Sequence, residues 1–236
     1  MAPLYAGTSG FAYPQWKPLF YPEKLPQKKF LEHYATRLNA VEINYTFRRN
    51  PSAKSLEGWI ASTPEGFSFS IKAHQRITHI ARLKDAREPT DFFLRSIEPL
   101  RDSNRLGVVL FQLPPYLRCD VALLAEFVEA LPPGGRYAFE FRHASWQADE
   151  VYRVLEKHNI CYCLAESENL DPPEVVTADY VYFRLRKTEY SPEDRETIWT
   201  KTKALLDGGK STFLFFKHED TPEGALYAEE MLEKAR

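Results

Sequence analysis

The chain has 236 residues, 44% of them hydrophobic and 27% charged, with a formal net charge of −2. These proportions fit a folded domain, and so small a net charge excludes a global basic field that would gather nucleic acid. No apolar run of about 18 residues is available to span a membrane and no basic-then-apolar leader opens the chain, so the expected compartment is the cytoplasm.

The first strand is predicted over residues 4–9, where the small residues and hydroxyls of Gly7-Thr8-Ser9-Gly10 leave backbone N–H groups accessible to cradle an anion. Residues 11–25 carry Tyr13, Pro14, Trp16, Pro18, Phe20, Tyr21 and Pro22. So many prolines exclude a regular helix, and the rings predict an ordered loop acting as a lid or as the aromatic wall of a pocket. Phe30, Leu31, Tyr34 and Leu38 stand at helical spacing and predict a helix over 28–38. In 41–47, Val41, Ile43, Tyr45 and Phe47 alternate with Glu42, Asn44 and Thr46, which predicts a strand with one apolar face.

A helix over 51–62 and a turn at Thr63-Pro64-Glu65-Gly66 lead to a strand over 67–73, with Phe67, Phe69 and Ile71 opposite Ser68, Ser70 and Lys72. A loop then carries His74 and His79, read as surface residues, and a helix follows over 89–100. The strand over 106–113 has Gln112 near its end and stops at Pro114-Pro115. After a helix over 121–130, the fifth strand sets Tyr137, Phe139 and Phe141 against Ala138, Glu140 and Arg142, with His143, Ser145 and Trp146 at its end. A helix over 148–157 precedes a strand over 160–165 ending at Glu166, and the Pro172-Pro173 segment beyond it lacks a helical period. A strand over 180–185, a helix over 192–206 stopped by Gly208-Gly209, a strand over 212–217 and a helix over 222–234 complete the chain.

Eight strands mostly separated by helices predict an α/β fold with parallel strands, a single-domain (β/α)8 TIM-barrel-like chain in which the helix after strand six is missing or irregular. A doubly wound open sheet would make both strand faces apolar, whereas several strands here alternate. The apolar faces suit the helix layer. The other faces then place Glu42, Asn44, Lys72, Gln112, Glu140, Arg142, Glu166, Arg184 and Lys217 near the C-terminal mouth, where barrels do chemistry. A structural ion-pair network is the alternative, but desolvating that many charges favours a hydrated, ligand-binding mouth.

Cations outnumber carboxylates slightly, so a small anionic or polar molecule is the expected ligand. Arg142 and Arg184 would form the clamp, with Lys72, Asn44, Gln112, Trp146, Glu166 and Lys217 as further ligand-binding residues. Glu140 and His143 are the candidate catalytic residues for acid/base chemistry of a hydrolase or lyase, with Glu42 beside them. No cofactor is predicted. Glu42, Glu140, His143 and Glu166 are the ligand types a divalent metal would use, which keeps a metal-dependent phosphoesterase as an alternative, although Lys72 and Arg142 oppose a cation there. A non-enzymatic partner or nucleic-acid contact through Arg48-Arg49 and residues 184–187 is the less favoured reading. Cys119, Cys161 and Cys163 do not form a disulfide framework; the latter two share one face of a strand and read as buried thiols.

Several short stretches, taken together and in order, resemble one family. They are Gly7-Thr8-Ser9-Gly10, Phe20-Tyr21-Pro22, Val41-Glu42-Ile43-Asn44 with Thr46-Phe47, Thr78-His79, Phe111-Gln112-Leu113-Pro114-Pro115, and Glu140-Phe141-Arg142-His143 with Ser145-Trp146. The chain resembles the YecE-like family, domain of unknown function 72, which implies a TIM-barrel fold and no established reaction. It departs from the family's usual pattern in four places. Phe47-Arg48-Arg49 stands for Phe-Tyr-Arg, Arg184-Leu185-Arg186-Lys187 for Arg-Leu-His-Gly, Lys217-His218 for paired Asn, and the common Asp near Glu166 is missing. These changes imply either a mouth retuned toward a more anionic ligand or a decayed ancestral activity.

Overall fold

The computed structural model describes residues 1–166, 170–217 and 221–236. Strands and helices alternate: β1 (Leu4–Thr8), α1 (Phe30–Arg37), β2 (Ala40–Ile43), α2 (Ala53–Ala61), β3 (Ser68–Lys72), α3 (Arg87–Ser96) and α4 (Glu98–Asp102) form the first half. The second half holds β4 (Leu106–Gln112), α5 (Val121–Glu129), β5 (Tyr137–Glu140), α6 (Asp149–Lys157), β6 (Cys161–Tyr162), β7 (Leu164–Ala165), β8 (Tyr180–Leu185), α7 (Pro192–Asp207), β9 (Ser211–Phe216) and α8 (Glu223–Lys234).

Local chemistry sets several boundaries. Ser52 and Asp120 accept a backbone N–H at the N-termini of α2 and α5, and Ser191 forms a reciprocal capping box with Asp194 at α7. The single helix predicted over 89–100 is instead two, separated at Ile97, because Pro99 has no N–H to continue the ladder.

All strand pairs are parallel. The backbone ladders form two sheets, ordered β1-β9-β8-β7 and β2-β3-β4-β5-β6. Two seams join them into a barrel-like arrangement. At one, the predicted sixth strand is kinked at Cys163: β6 pairs with β5, then β7 pairs with β8. At the other, side chains stand in for the ladder. Asn39 Oδ1 accepts the Ala6 N–H, and the Tyr34 hydroxyl accepts the Thr8 N–H while donating to the Ala40 carbonyl. Gly7 is required at this seam, since a Cβ there would lie 1.8 Å from the Ala40 carbonyl oxygen. No helix occurs between β7 and β8 among the described residues.

The core divides along the strand alternation. Val41, Ile43, Phe69, Ile71, Phe111, Phe139, Val181 and Phe216 pack outward with helix residues such as Leu56, Phe127 and Leu155. A separate inner cluster contains Val108, Leu110, Ala138, Cys161, Cys163, Tyr180, Tyr182, Phe213 and Phe215. The lower barrel is therefore apolar, and both inner cysteines are buried free thiols that burial holds protonated. The aromatic loop at 11–25 packs Trp16 against Phe20 and Tyr21, all buried.

One predicted strand is too long. β2 ends at Ile43, and Tyr45–Phe47 forms a 3-10 turn. The Thr46 hydroxyl bridges to the Ile43 and Lys72 carbonyls, which turns the chain before Tyr45 can reach the apolar layer and leaves Tyr45 exposed.

Candidate active site

The C-terminal ends of β2, β4, β5 and β8 bring Glu42, Gln112, Glu140 and Arg184 together above the inner apolar cluster. Glu42, Glu140 and Arg184 are 0%, 3% and 4% exposed. Arg184 grips Glu42 in a two-pronged contact, Nε to Oε2 at 2.9 Å and Nη2 to Oε1 at 2.8 Å, and its Nη1 donates to Glu140 Oε2. Ser9 Oγ and Asn44 Nδ2 each donate to Glu42 Oε1 at 2.9 Å, and the Tyr182 hydroxyl donates to Oε2 at 2.8 Å. Gln112 Nε2 donates to Glu140 Oε1 at 2.9 Å, and Lys72 Nζ donates to Gln112 Oε1 at 2.7 Å.

Charge follows from this wiring. Burial pushes the Glu42 carboxyl up, but Arg184 and the hydrogen bonds from Arg184, Asn44 and Tyr182 outweigh it and hold its pKa down at about 2. Glu140 is lowered in the same way, burial being overcome by Arg184 and Arg186. Both are ionised at neutral pH, and a carboxylate this well satisfied is a weak base. Lys72 behaves oppositely. Burial and the neighbouring Arg184 charge bring it down to about 8, with Glu140 and Glu42 only partly compensating.

Three cations surround the centre. Lys72 sits over the Phe47 ring, 4.5 Å from its centroid. Arg186 Nη1 stands 3.8 Å and Arg142 Nε 4.0 Å from Glu140 Oε1, with side chains 25% and 39% exposed. His79 lies close enough to Lys72 and Arg142 that burial and those charges lower its pKa. It belongs to a π-turn at Arg76–Ile80, stacks edge-on to Phe47 and shares a 2.9 Å hydrogen bond with the Thr78 hydroxyl. Such turns are frequent at functional sites.

Residues 5–236 match the family described as "Protein of unknown function DUF72". The chain belongs to that family. It is 30% identical to a DUF72 family protein (TM1631) from Thermotoga maritima MSB8, with a TM-score of 0.87 and 99% of each chain covered. It is also 33% identical over 155 residues to the UPF0759 protein YunF of Bacillus subtilis (strain 168), covering 63% of this chain and 54% of that protein. The match thus spans about half the length of that curated relative. An AP endonuclease, family 2, from Brucella melitensis is 11% identical with a TM-score of 0.58 over 100% of both chains. At that identity the likeness is one of fold, and it agrees with a TIM-barrel-like α/β architecture.

In this DUF72 chain the structure gathers Glu42, Asn44, Lys72, Gln112, Glu140, Arg142 and Arg184, and it sends other expected site residues elsewhere. Trp146 is buried, stacks on Phe141 with ring centroids 4.6 Å apart, and donates Nε1–H to the Leu117 carbonyl. It packs the core beneath the rim and offers no free face to a ligand. His143 Nδ1 accepts the Ser145 N–H at 3.1 Å and lies 2.9 Å from the Ser145 hydroxyl, capping the short turn at Ala144–Trp146. Glu166 is expected at the mouth, but Ala165, paired with Arg184, takes the inward place at the end of β7, and Glu166 follows the outward parity of Tyr162 and Leu164. It meets the β8–α7 connection, where it accepts the Arg186 and Lys187 N–H groups and the Tyr190 hydroxyl.

Lys217 follows β9, where its N–H is tied to the Leu185 carbonyl. Its sequence neighbour His218 lies outside the described residues. The backbone N–H groups expected to cradle an anion at 7–10 are taken at three of the four positions: Thr8 donates to the Tyr34 hydroxyl, Ser9 to the Phe216 carbonyl and Gly10 to the Thr8 carbonyl. Of the four donors of the metal alternative, Glu42 and Glu140 share Arg184 while His143 and Glu166 are held elsewhere. Among the described residues no three His, Cys, Asp or Glu side chains converge on a point that could hold an ion.

Three participants were missed. Ser9 and Tyr182 are donors to Glu42, and Arg186 is a rim cation. Arg186 continues the inward parity of Tyr182 and Arg184 by one step beyond β8, a signal present in the sequence.

Proposed function

We propose that the mouth of this barrel binds a small anionic molecule and acts on it by proton transfer, with Lys72 in place of Glu140 as the acid–base group. The observation that carries this reading is the imbalance of charge. Arg184 already serves both buried carboxylates, and Lys72, Arg142 and Arg186 stand around the same centre in excess. A phosphate or carboxylate would neutralise that surplus and accept charge-assisted hydrogen bonds. Lys72, with a pKa near 8, exchanges a proton close to neutral pH at small cost, whereas Glu140 is held ionised by its partners. Gln112 links the two and keeps Lys72 aimed at the centre. Hydrolysis or elimination next to an anionic group is the reaction class that suits these parts.

Thermal melting in inorganic phosphate and in malonate tests the reading. Wild type should gain stability with each anion in a saturable way, and Lys72→Met and Arg186→Met should each lose most of that gain while melting near the wild-type temperature without ligand. Equal gains in all three proteins, or none in wild type, would sink it.

A further inference from the structure

Two clefts open on the loops that follow β1, β2 and β3, and they meet at Arg49. The second, about 570 Å³ in volume, lies between those loops and α3. Its lining sets Arg49, Arg76 and Arg95 against one carboxylate, Glu88. All three arginines are exposed. Arg87 and Arg101, on α3 and α4, each have a carboxylate within ion-pair reach, whereas Arg49, Arg76 and Arg95 have none among the described residues.

The loops that carry these cations are held in fixed relation. His74 Nδ1 accepts the Arg76 N–H at 3.1 Å, and its Nε2–H donates to the Arg48 carbonyl at 3.2 Å. A backbone N–H only donates and a carbonyl only accepts, so the ring is neutral and carries its proton on Nε2. The imidazole thus clips the loop of Arg49 to the loop of Arg76.

Aromatic faces stand beside the cations. Phe92 is 58% exposed and shares one face of α3 with Arg95, three residues on. Tyr45, 45% exposed, lines the first cleft with its ring propped edge-on by Trp59. Burial raises the Tyr45 pKa, and Arg49 is close enough to oppose that rise. An exposed ring or an unpaired arginine is ordinary when it stands alone. Here they alternate along one track, with a cation at the junction of two clefts and a ring beside each. Single-stranded nucleic acid has the matching order of base, phosphate and base. An acidic peptide would supply the charge without a regular series of planar rings, and a duplex keeps its bases stacked inside.

We propose that this track binds single-stranded nucleic acid, with bases laid on Tyr45 and Phe92 and backbone phosphates held by Arg49, Arg76 and Arg95. The formal net charge of −2 makes the attraction local, so stacking and charge share the affinity. The track stands apart from Lys72 and its proton, and the reading of the mouth neither supports it nor falls with it.

Fluorescence anisotropy with labelled strands of about a dozen thymidylates or uridylates tests it, over a salt series from about 20 to 200 mM. At least one strand should bind, more weakly as salt rises, and the tighter of the two identifies the sugar. Arg76→Met and Arg95→Met should each lower the slope of log affinity against log salt by about 0.7. Phe92→Ala should weaken binding about fivefold or more at every salt concentration, the loss of one stacked base, while Phe92→Tyr keeps the wild-type affinity. Melting temperatures check the folding of each variant. No binding of either strand at low salt overturns the proposal and leaves the anion reading of the mouth standing. Displacement of the strand by malonate at matched ionic strength would put it in the mouth and overturn the track. Indifference to Phe92→Ala, or equally tight binding of a duplex or of polyglutamate, would reduce the track to a charged surface without preference for bases and would overturn it too.

Discussion

The buried Glu42–Arg184–Glu140 triad and the rim of Lys72, Arg142 and Arg186 lie within one barrel mouth, yet they are built on opposite electrostatic terms. In the triad every charge has a close partner and the carboxylates are held ionised. At the rim the cations crowd one another, the ion pairs to Glu140 stretch to 3.8 and 4.0 Å, and the Lys72 ammonium is disfavoured. The first pattern spends its interactions within the protein. The second leaves interaction capacity directed outward, which is what a ligand site requires. The difference teaches that a cluster of charges in a barrel mouth divides into scaffold and site according to how completely each charge is satisfied.

The strongest way to break this division is to remove Arg184. Arg184→Met removes the ion-pair partner of buried Glu42 and leaves Glu140 with only the stretched contacts to Arg142 and Arg186, and breaking a buried pair typically costs about 3–5 kcal/mol. Chemical denaturation should show a loss of that size, whereas Lys72→Met should lose far less or gain. Equal losses would mean that triad and rim are one structural network.

Acid provides a gentler test of the same contrast. Glu42 has its folded pKa depressed to about 2 from an ordinary 4.5, so its contribution is fully present above pH 4.5 and is lost as pH falls toward 2. A shift of that size corresponds to roughly 3 kcal/mol. Denaturation at pH 5.5 and pH 3.5 should show a steep loss in wild type. Glu42→Gln should begin less stable and fall less, retaining only the slope from Glu140 and surface carboxylates. A variant with the wild-type slope would show that Glu42 is not the group being titrated.

Much of this arrangement was legible in the sequence because a strand's two-residue period is a geometric fact. Glu42, Lys72, Gln112, Glu140 and Arg184 could be assigned to the inner face and to the same end from alternation alone, and the apolar faces to the helix layer. What escaped were features that alternation does not encode. Tyr182 reaches Glu42 across 140 residues of chain, so its role depends on how the barrel brings distant strands together. Glu166 is a different case: it falls one residue past Ala165, which pairs with Arg184 and holds the inward place, so Glu166 follows the outward parity of Tyr162 and Leu164. Alternation puts Asn44 in a strand; it lies one residue past β2, and there its amide donates to Glu42. His143 and Trp146 have the chemistry of site residues, and a local turn and a stacked ring absorb both.

The smallest effect concerns Lys72 alone and tests the rim from the alkaline side. Its folded pKa is depressed to about 8 from 10.5, so the unfolded chain holds its proton to higher pH than the folded one. Stability from this group therefore rises with pH between about 8 and 10.5, the reverse of what a lysine in a favourable ion pair would do. The gain should be on the order of 1 kcal/mol once the partial exposure of Lys72 is discounted. Tyrosines whose pKa burial has raised, such as Tyr137, work in the opposite direction near pH 10, so the quantity to follow is the difference between wild type and Lys72→Met. That difference should move in favour of wild type from pH 7.5 to pH 9.5 and should flatten when phosphate occupies the rim, because a bound anion restores the ammonium. A difference independent of pH would place Lys72 among the satisfied charges of the scaffold and would leave Arg142 and Arg186 as the only outward-directed cations of the three.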